Sequence, residues 1–242
     1  MDRRAFLTTG TSAWAALTVS TNQTFADSEA VVHKTWNQAT GRRILQLNHN
    51  SNPLGLPPTA RTAILETLAE VPHYPRARRG QLRARLAALH GLSDEQVILG
   101  AGSTELIRCA VQAYASPESR ILQADPTYEN AMEYGEPFPY HLEKVALTSD
   151  SAHDIDRMSA MAARWQEPTL VYICNPHNPT GTLTPSAAVD EWIASAQDNV
   201  FFIIDEAYFP FVNDPSYWSA DKWVQTHSNV LVLRTFSKLY GM

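Results

Sequence analysis

Short apolar runs alternate with helix-like segments through most of this chain, and this alternation is its strongest constraint on folding. The runs span residues 97–99, 120–124, 140–147, 169–174, 200–204 and 230–233. The pattern predicts an α/β fold of three layers, with helices covering both faces of a mainly parallel sheet. Five of the runs are followed directly by a polar, Gly-rich or Pro-rich cluster. Because ligands bind at the carboxyl ends of parallel strands, we expect five sequence-distant loops to converge on one crevice.

The loop after the first run contains Gly102, Ser103 and Thr104, ahead of a predicted helix from Glu105 to Tyr114. Glycines let a backbone approach an anion closely, and the free N–H groups at a helix start favour a phosphate. Alternatively, Ser103 or Thr104 simply caps the helix. The segment is therefore a candidate phosphate site.

Asp205 follows four apolar residues, Phe201 to Ile204, so its carboxylate is expected at the edge of the core. An isolated buried carboxylate is costly, which predicts a cation opposite it. A protonated pyridine nitrogen is one such cation. An arginine partner or a helix cap is the alternative.

Lys238 ends the polar loop after the last run, beside Thr235 and Ser237. Hydroxyls and backbone N–H groups there are suited to hold a phosphate while the amine bonds to an aldehyde carbon. Taken alone, such a lysine is more typical of a solvated surface.

Three other loop residues are suited to a flat heterocycle. Tyr128 and Tyr208 offer one ring for stacking and one phenol for hydrogen bonding, although loop tyrosines often serve only packing. The segment 175–181, Asn-Pro-His-Asn-Pro-Thr-Gly, predicts a rigid turn that presents Asn178.

Together, N-P-H-N-P-T-G at 175–181, D-E-A-Y at 205–208 and T-F-S-K at 235–238 resemble the fold-type I, pyridoxal-phosphate-dependent aminotransferases of class I/II. Within that superfamily the chain is most similar to the histidinol-phosphate aminotransferase-like branch, and the resemblance covers residues 48–242. It implies catalytic roles for Lys238, which bonds to the cofactor, Asp205, which pairs with the ring nitrogen, and Tyr208. It also implies a set of cofactor-binding residues: Asn178 and Tyr208 at the 3-oxygen, Tyr128 stacked on the ring, and Gly102, Ser103, Thr104, Thr235 and Ser237 around the phosphate.

The resemblance also implies a homodimer, because Tyr74 matches a tyrosine that binds the neighbouring subunit's cofactor phosphate. Residues 50–55, Asn-Ser-Asn-Pro-Leu-Gly, resemble a family segment near the substrate, which makes Asn52 a candidate substrate residue. Ser51 and Leu54 depart from the family pattern and leave the substrate open.

The implied activity is transfer of an amino group between an amino acid or amino-alcohol phosphate and a 2-oxo acid. A decarboxylase of the same fold and a non-catalytic cofactor-binding domain are the alternatives. The family normally continues beyond the lysine loop into a small C-terminal domain that carries a carboxylate-binding arginine. We therefore expect residues 57–242 to be a truncated cofactor-binding large domain, preceded by an arm at 27–56, with little activity alone.

The first 26 residues have a different character from the rest of the chain. Arg3 and Arg4 precede Phe6-Leu7 and a weakly apolar stretch, and Ala26 offers a cleavage point. This pattern predicts a twin-arginine export signal and a periplasmic or secreted protein, with a frayed cytoplasmic N-terminus as the alternative. It is too short and polar for a permanent membrane span.

The net charge of −6 gives no basic surface for nucleic acid. The two cysteines, Cys109 and Cys174, form no disulfide framework or metal motif, and both are expected to be buried free thiols.

Overall fold

We describe the protein from a computed structural model, which describes residues 36–37 and 42–43 as strands and residues 48–114, 116–129 and 140–242 in full. The predicted export signal at 1–26 falls outside these residues and stays a prediction. The chain divides into two units, Met1–Gln46 and Leu47–Met242. In the first unit, strands β1 (Trp36–Asn37) and β2 (Arg42–Arg43) pair antiparallel.

The second unit is built on one sheet of five parallel strands in the order β4-β3-β5-β6-β7. The strands are β3 (Arg120–Asp125), β4 (His141–Ala146), β5 (Thr169–Cys174), β6 (Val200–Asp205) and β7 (Val230–Leu233). This confirms the predicted α/β class. Because β4 and β5 lie on opposite sides of β3, the strand order reverses there, and a crevice opens at the carboxyl ends.

The described helices agree with most of the sequence signals. They are α1 (Pro58–Thr67), α2 (Arg76–His90), α3 (Gly102–Tyr114), α4 (Ile155–Ala162), α5 (Ser186–Ser195) and α6 (Asp221–Val224), with 3₁₀ turns at Leu68–Glu70, Asp94–Gln96 and Phe209–Phe211. A proline begins α1, and Gly91, at φ +65°, ends α2 in the left-handed conformation. Helix α3 begins at Gly102, earlier than predicted, which puts Ser103 and Thr104 in its first turn.

The core has one hydrophobic cluster on each face of the sheet. In β5, Val171 and Ile173 pack in the cluster that contains residues of α4 and α5. Leu170 and Tyr172 pack in the other cluster, with residues of α3. Successive strand residues point to opposite faces, so a strand whose six residues are all buried must be covered on both sides. This gives the three predicted layers.

Two expectations were wrong. Residues 97–99 form no strand, because the segment pairs with no strand in the described part of the chain, and Ile98 is 67% exposed. Cys109 is exposed rather than buried, since the buried positions of α3 are Ile107, Ala110 and Val111 and residue 109 lies off that stripe. No helix among the described residues is long and apolar enough to cross a membrane.

Candidate active site

The loops after β6 and β7 meet at the carboxyl edge of the sheet. The Nζ atom of Lys238 donates a hydrogen bond to the carbonyl of His49 at 3.0 Å. The same atom lies 5.5 Å from the ring centroid of Tyr208. Two residues predicted from separate motifs are therefore brought together, with the segment that contains His49 against them.

That segment, residues 48–56, is tied to both loops. The side-chain amide of Asn50 donates to the Tyr208 hydroxyl at 2.9 Å. Asn52 Nδ2 donates to the Leu239 carbonyl at 2.7 Å, while its Oδ1 accepts from the N–H of Leu54 at 2.9 Å. In this arrangement Asn52 holds the lysine loop in place, and its predicted contact with substrate stays a prediction.

Asp205 lies at the end of β6, opposite Cys174 of β5, and its side chain is buried. Its Oδ1 accepts from the N–H of Ala207 at 3.0 Å, and its Oδ2 accepts from the Tyr172 hydroxyl at 2.9 Å. Burial raises the pKa of Asp205, and these two hydrogen bonds and the charge of Lys238 oppose that rise. No ion pair to Asp205 occurs within residues 48–114, 116–129 and 140–242, so a cation placed against this carboxylate would stabilise it.

The neighbouring acid, Glu206, forms an ion pair with an arginine, which was the alternative expected for Asp205. Its Oε2 lies 2.7 Å from Arg234 Nη2 and accepts from the Ser219 hydroxyl at 2.9 Å. Its Oε1 accepts from the N–H of Ala220 at 2.8 Å. Arg234 therefore neutralises Glu206 instead of Asp205.

Two small polar groups have the chemistry for an anion. Gly102, at φ +79°, begins α3 with open space where a Cβ would stand, and Ser103 follows in the first turn. In the lysine loop, the Thr235 and Ser237 hydroxyls lie 2.6 Å apart, and the N–H of Ser237 donates to Thr235 Oγ1 at 3.1 Å. Hydroxyls and helix-start N–H groups are typical phosphate donors.

The segment 175–181 is held rigidly by its surroundings. The side chain of Asn175 forms two hydrogen bonds with the backbone of Thr184, at 2.7 and 3.1 Å. The backbone carbonyl of Asn175 accepts a hydrogen bond from the Tyr217 hydroxyl. A cavity of about 390 Å³ is lined by Asn178, Tyr208 and Asn50 among others. The predicted pair Asn178 and Tyr208 thus faces one common space.

The structure gives the positions of the other predicted site residues, and their roles stay predictions. Tyr74 lies in the turn before α2 and is 91% exposed. Tyr128 is partly buried and packs against the cluster that contains Tyr172. Within the described residues no group of three or more His, Cys, Asp or Glu side chains is arranged to hold a metal ion.

Sequence reasoning missed a pair of buried histidines behind the Asn178 segment. The rings of His153 and His177 meet edge to face, with centroids 4.7 Å apart. Their Nδ1 atoms are hydrogen-bonded to the hydroxyls of Thr184, at 3.0 Å, and Thr180, at 2.7 Å. Burial lowers the pKa of His153 to about 3, and nearby His177 adds to the effect. His177 belongs to a recognised motif, but no local signal marks His153.

Because of His153, we expect the folded protein to lose stability in mild acid. An unfolded His153 takes up a proton near pH 6.5, whereas the folded one stays neutral down to about pH 3. Stability is therefore present above pH 6.5 and is lost as the pH falls, by about 2 kcal/mol between pH 7 and pH 5. In urea unfolding at both pH values, the change in the free energy of unfolding from pH 7 to pH 5 should be less favourable in the wild type than in His153→Gln by about this amount.

The exposed His141 supplies the matched control, because His141→Gln should keep the wild-type difference between pH 7 and pH 5. The buried acids Asp205 and Glu206 have raised pKa values and change stability in the opposite direction, equally in all three proteins. An unchanged pH difference in His153→Gln would contradict the prediction.

The chain is similar to known proteins over most of its length. The model of the family "Aminotransferase class I and II" matches residues 42–242. Histidinol-phosphate aminotransferase 1 of Cupriavidus pinatubonensis is 34% identical over 203 residues, which cover 82% of this chain and 52% of that protein. Histidinol-phosphate aminotransferase 2 of Ralstonia nicotianae is 35% identical over 201 residues, which cover 83% of this chain and 53% of that one. The chain thus spans about half the length of the curated relatives it matches.

A solved structure from Erwinia carotovora atroseptica is also similar to this chain. It carries a provisional histidinol-phosphate aminotransferase assignment and superposes with a TM-score of 0.80 at 37% identity, covering 83% of this chain and 58% of that one.

Proposed function

Because the chain belongs to the class I and II aminotransferase family, we propose that the whole protein uses pyridoxal 5'-phosphate to move an amino group between an amino acid or amino-alcohol phosphate and a 2-oxo acid. The observation that carries the proposal is the buried carboxylate of Asp205. It has two hydrogen-bond donors and no ion pair within the described chain, close enough to Lys238 to feel its charge. A protonated ring nitrogen is a cation that would neutralise this buried carboxylate.

When bound, this cofactor supplies an aldehyde carbon for covalent attachment and a ring that accepts an electron pair. We assign Asp205 to the ring nitrogen, where its negative charge keeps the nitrogen protonated. Asn178 and Tyr208, which line one cavity, are assigned to the 3-oxygen, and Tyr128 to the ring face. The phosphate is assigned to Gly102, Ser103, Thr104, Thr235 and Ser237.

Lys238 is assigned two tasks. Its amine would hold the cofactor covalently, and as a free amine it would stay tethered beside the substrate Cα. There its Nζ would take the proton from the substrate Cα as a general base and would deliver it, as a general acid, to the former aldehyde carbon of the cofactor. The hydrogen bond from Nζ to the His49 carbonyl, which brings the amine next to residues 48–56, supports this assignment.

The family also supports a homodimer, with Tyr74 binding the phosphate in the neighbouring subunit. The exposed position of Tyr74 supports this, because in the described part of the chain its side chain is 91% exposed and therefore accessible to a second subunit. Exposed Leu68 and Val71 lie on the same stretch and offer apolar area for a second copy.

An assay of the full-length protein tests the proposal. We expect histidinol phosphate, an aromatic amino acid or glutamate to convert 2-oxoglutarate or another 2-oxo acid, with a matching change in cofactor absorbance. Light scattering of the same preparation should give twice the chain mass. Release of CO2 without amino transfer would favour a decarboxylase, and failure to bind the cofactor at all would remove the proposal.

A further inference from the structure

Tyr172 stands at the centre of the sheet, directly behind the proposed cofactor site. It belongs to β5, whose six residues are all buried, and its own side chain has no exposed surface. In the register of β5 and β6, Tyr172 lies opposite Ile203 and Cys174 lies opposite Asp205. The phenol therefore reaches the Asp205 carboxylate from the neighbouring strand, and its hydroxyl donates to Oδ2 at 2.9 Å.

The two hydrogen bonds of Asp205 have different origins. The N–H of Ala207, which bonds to Oδ1, is backbone and is present whatever side chain stands at residue 207. The Tyr172 hydroxyl is the one side-chain donor to Asp205 in the described part of the chain. Because the two donors bind different oxygens, they fix the plane of the carboxylate and leave its remaining lone pairs for a ligand.

The Tyr172 hydroxyl also affects the charge of Asp205. Burial favours the neutral acid and raises the pKa of Asp205, while the hydrogen bond from Tyr172 favours the ionised form and lowers it. Only an ionised carboxylate forms an ion pair with a protonated nitrogen. The phenol itself stays protonated, because burial and the adjacent carboxylate raise the pKa of Tyr172 well above its ordinary value.

We propose that Tyr172 is a positioning residue that keeps Asp205 ionised and orients it toward the ring nitrogen of the cofactor. The inference rests on the proposed function for the identity of that cation. The link between Tyr172 and Asp205 needs no cofactor and can be measured in the apoprotein.

Tyr217 provides a matched comparison. It is also a buried tyrosine, but its hydroxyl donates to the backbone carbonyl of Asn175 and not to Asp205. Tyr217→Phe and Tyr172→Phe each remove one buried phenol hydroxyl. A purely structural role for Tyr172 therefore predicts that the two variants differ only in stability.

The first measurement follows Asp205 in the full-length apoprotein. The carboxylic-acid C=O stretch of Asp205 is isolated in infrared difference spectra against Asp205→Asn and titrated with pH. In Tyr172→Phe we expect the midpoint to rise by at least about one pH unit, because the donor to the charged form is lost. Tyr217→Phe should keep the wild-type midpoint. An unchanged midpoint in folded Tyr172→Phe overturns the proposal.

The second measurement uses pyridoxal 5'-phosphate itself. Fluorescence titration should show an affinity about 10- to 100-fold weaker in Tyr172→Phe, a range typical of residues that support a ligating group. Site-specific 3-fluorotyrosine at residue 172, a stronger donor, should move the infrared midpoint down and covers the case in which phenylalanine prevents folding. If the wild-type protein fails to bind the cofactor, the proposed function fails, while the infrared midpoints still decide the role of Tyr172.

Discussion

Replacing Lys238 with alanine is expected to lower amino transfer by the full-length protein by about 10³- to 10⁴-fold or more. The amine is assigned both to covalent attachment and to the proton transfer, and general acid–base catalysis alone contributes about 10²- to 10⁴-fold. Among the described residues, its Nζ forms one hydrogen bond, to a backbone carbonyl, and lies near the Tyr208 ring, so the truncation should cost little stability. Single-turnover kinetics with a saturating amino donor provides the measurement.

Borohydride reduction of the loaded protein gives a second readout for the same variant. Peptide mass spectrometry should find a pyridoxyl group on Lys238 in the wild type and none in Lys238→Ala. Lys222→Ala is the control, because Lys222 pairs with Asp190 on the protein surface at 2.6 Å and should keep both the tag and the turnover. A tag on a different lysine, or wild-type turnover in Lys238→Ala, would refute the assignment of Lys238.

The second large effect is expected for Asp205→Asn, and its sign differs between activity and stability. A neutral amide cannot hold the ring nitrogen in its protonated form, so amino transfer should fall by about 10²- to 10³-fold. Burial raises the pKa of Asp205, which means that its ionisation is disfavoured in the folded state. Removal of that charge should therefore leave the free energy of unfolding of the apoprotein at pH 8 unchanged or higher.

The same isosteric change one residue later is the control. Glu206→Gln removes a carboxylate that is paired with Arg234 and leaves that arginine without its charged partner. Burial also raises the pKa of Glu206, but the loss of the charged partner of Arg234 outweighs that effect, so we expect Glu206→Gln to lower the free energy of unfolding by about 1 to 3 kcal/mol, with a smaller effect on cofactor affinity than Asp205→Asn. Urea unfolding and cofactor titration of both variants make the comparison. If Asp205→Asn keeps full turnover, Asp205 does not serve the ring nitrogen.

Much of the architecture could be predicted because it depends on local patterns. The strands β3, β5, β6 and β7 were recognisable as apolar runs. Once those strands are parallel, their carboxyl ends must share an edge. The meeting of Lys238 with Tyr208 and of Asn178 with Tyr208 follows from this rule.

The sequence by itself determined the fold class and the edge of the sheet at which the predicted site residues lie, since periodicity and turn chemistry act over a few neighbouring residues. Only the tertiary structure decided which side chains meet across strands. It pairs Arg234 with Glu206 rather than Asp205, hydrogen-bonds the Tyr172 phenol to Asp205 and packs the rings of His153 and His177 edge to face. The register between β5 and β6 sets the contact between residues 172 and 205, which lie 33 positions apart. Side-chain contacts of this kind depend on packing between distant segments, and no local pattern encodes them.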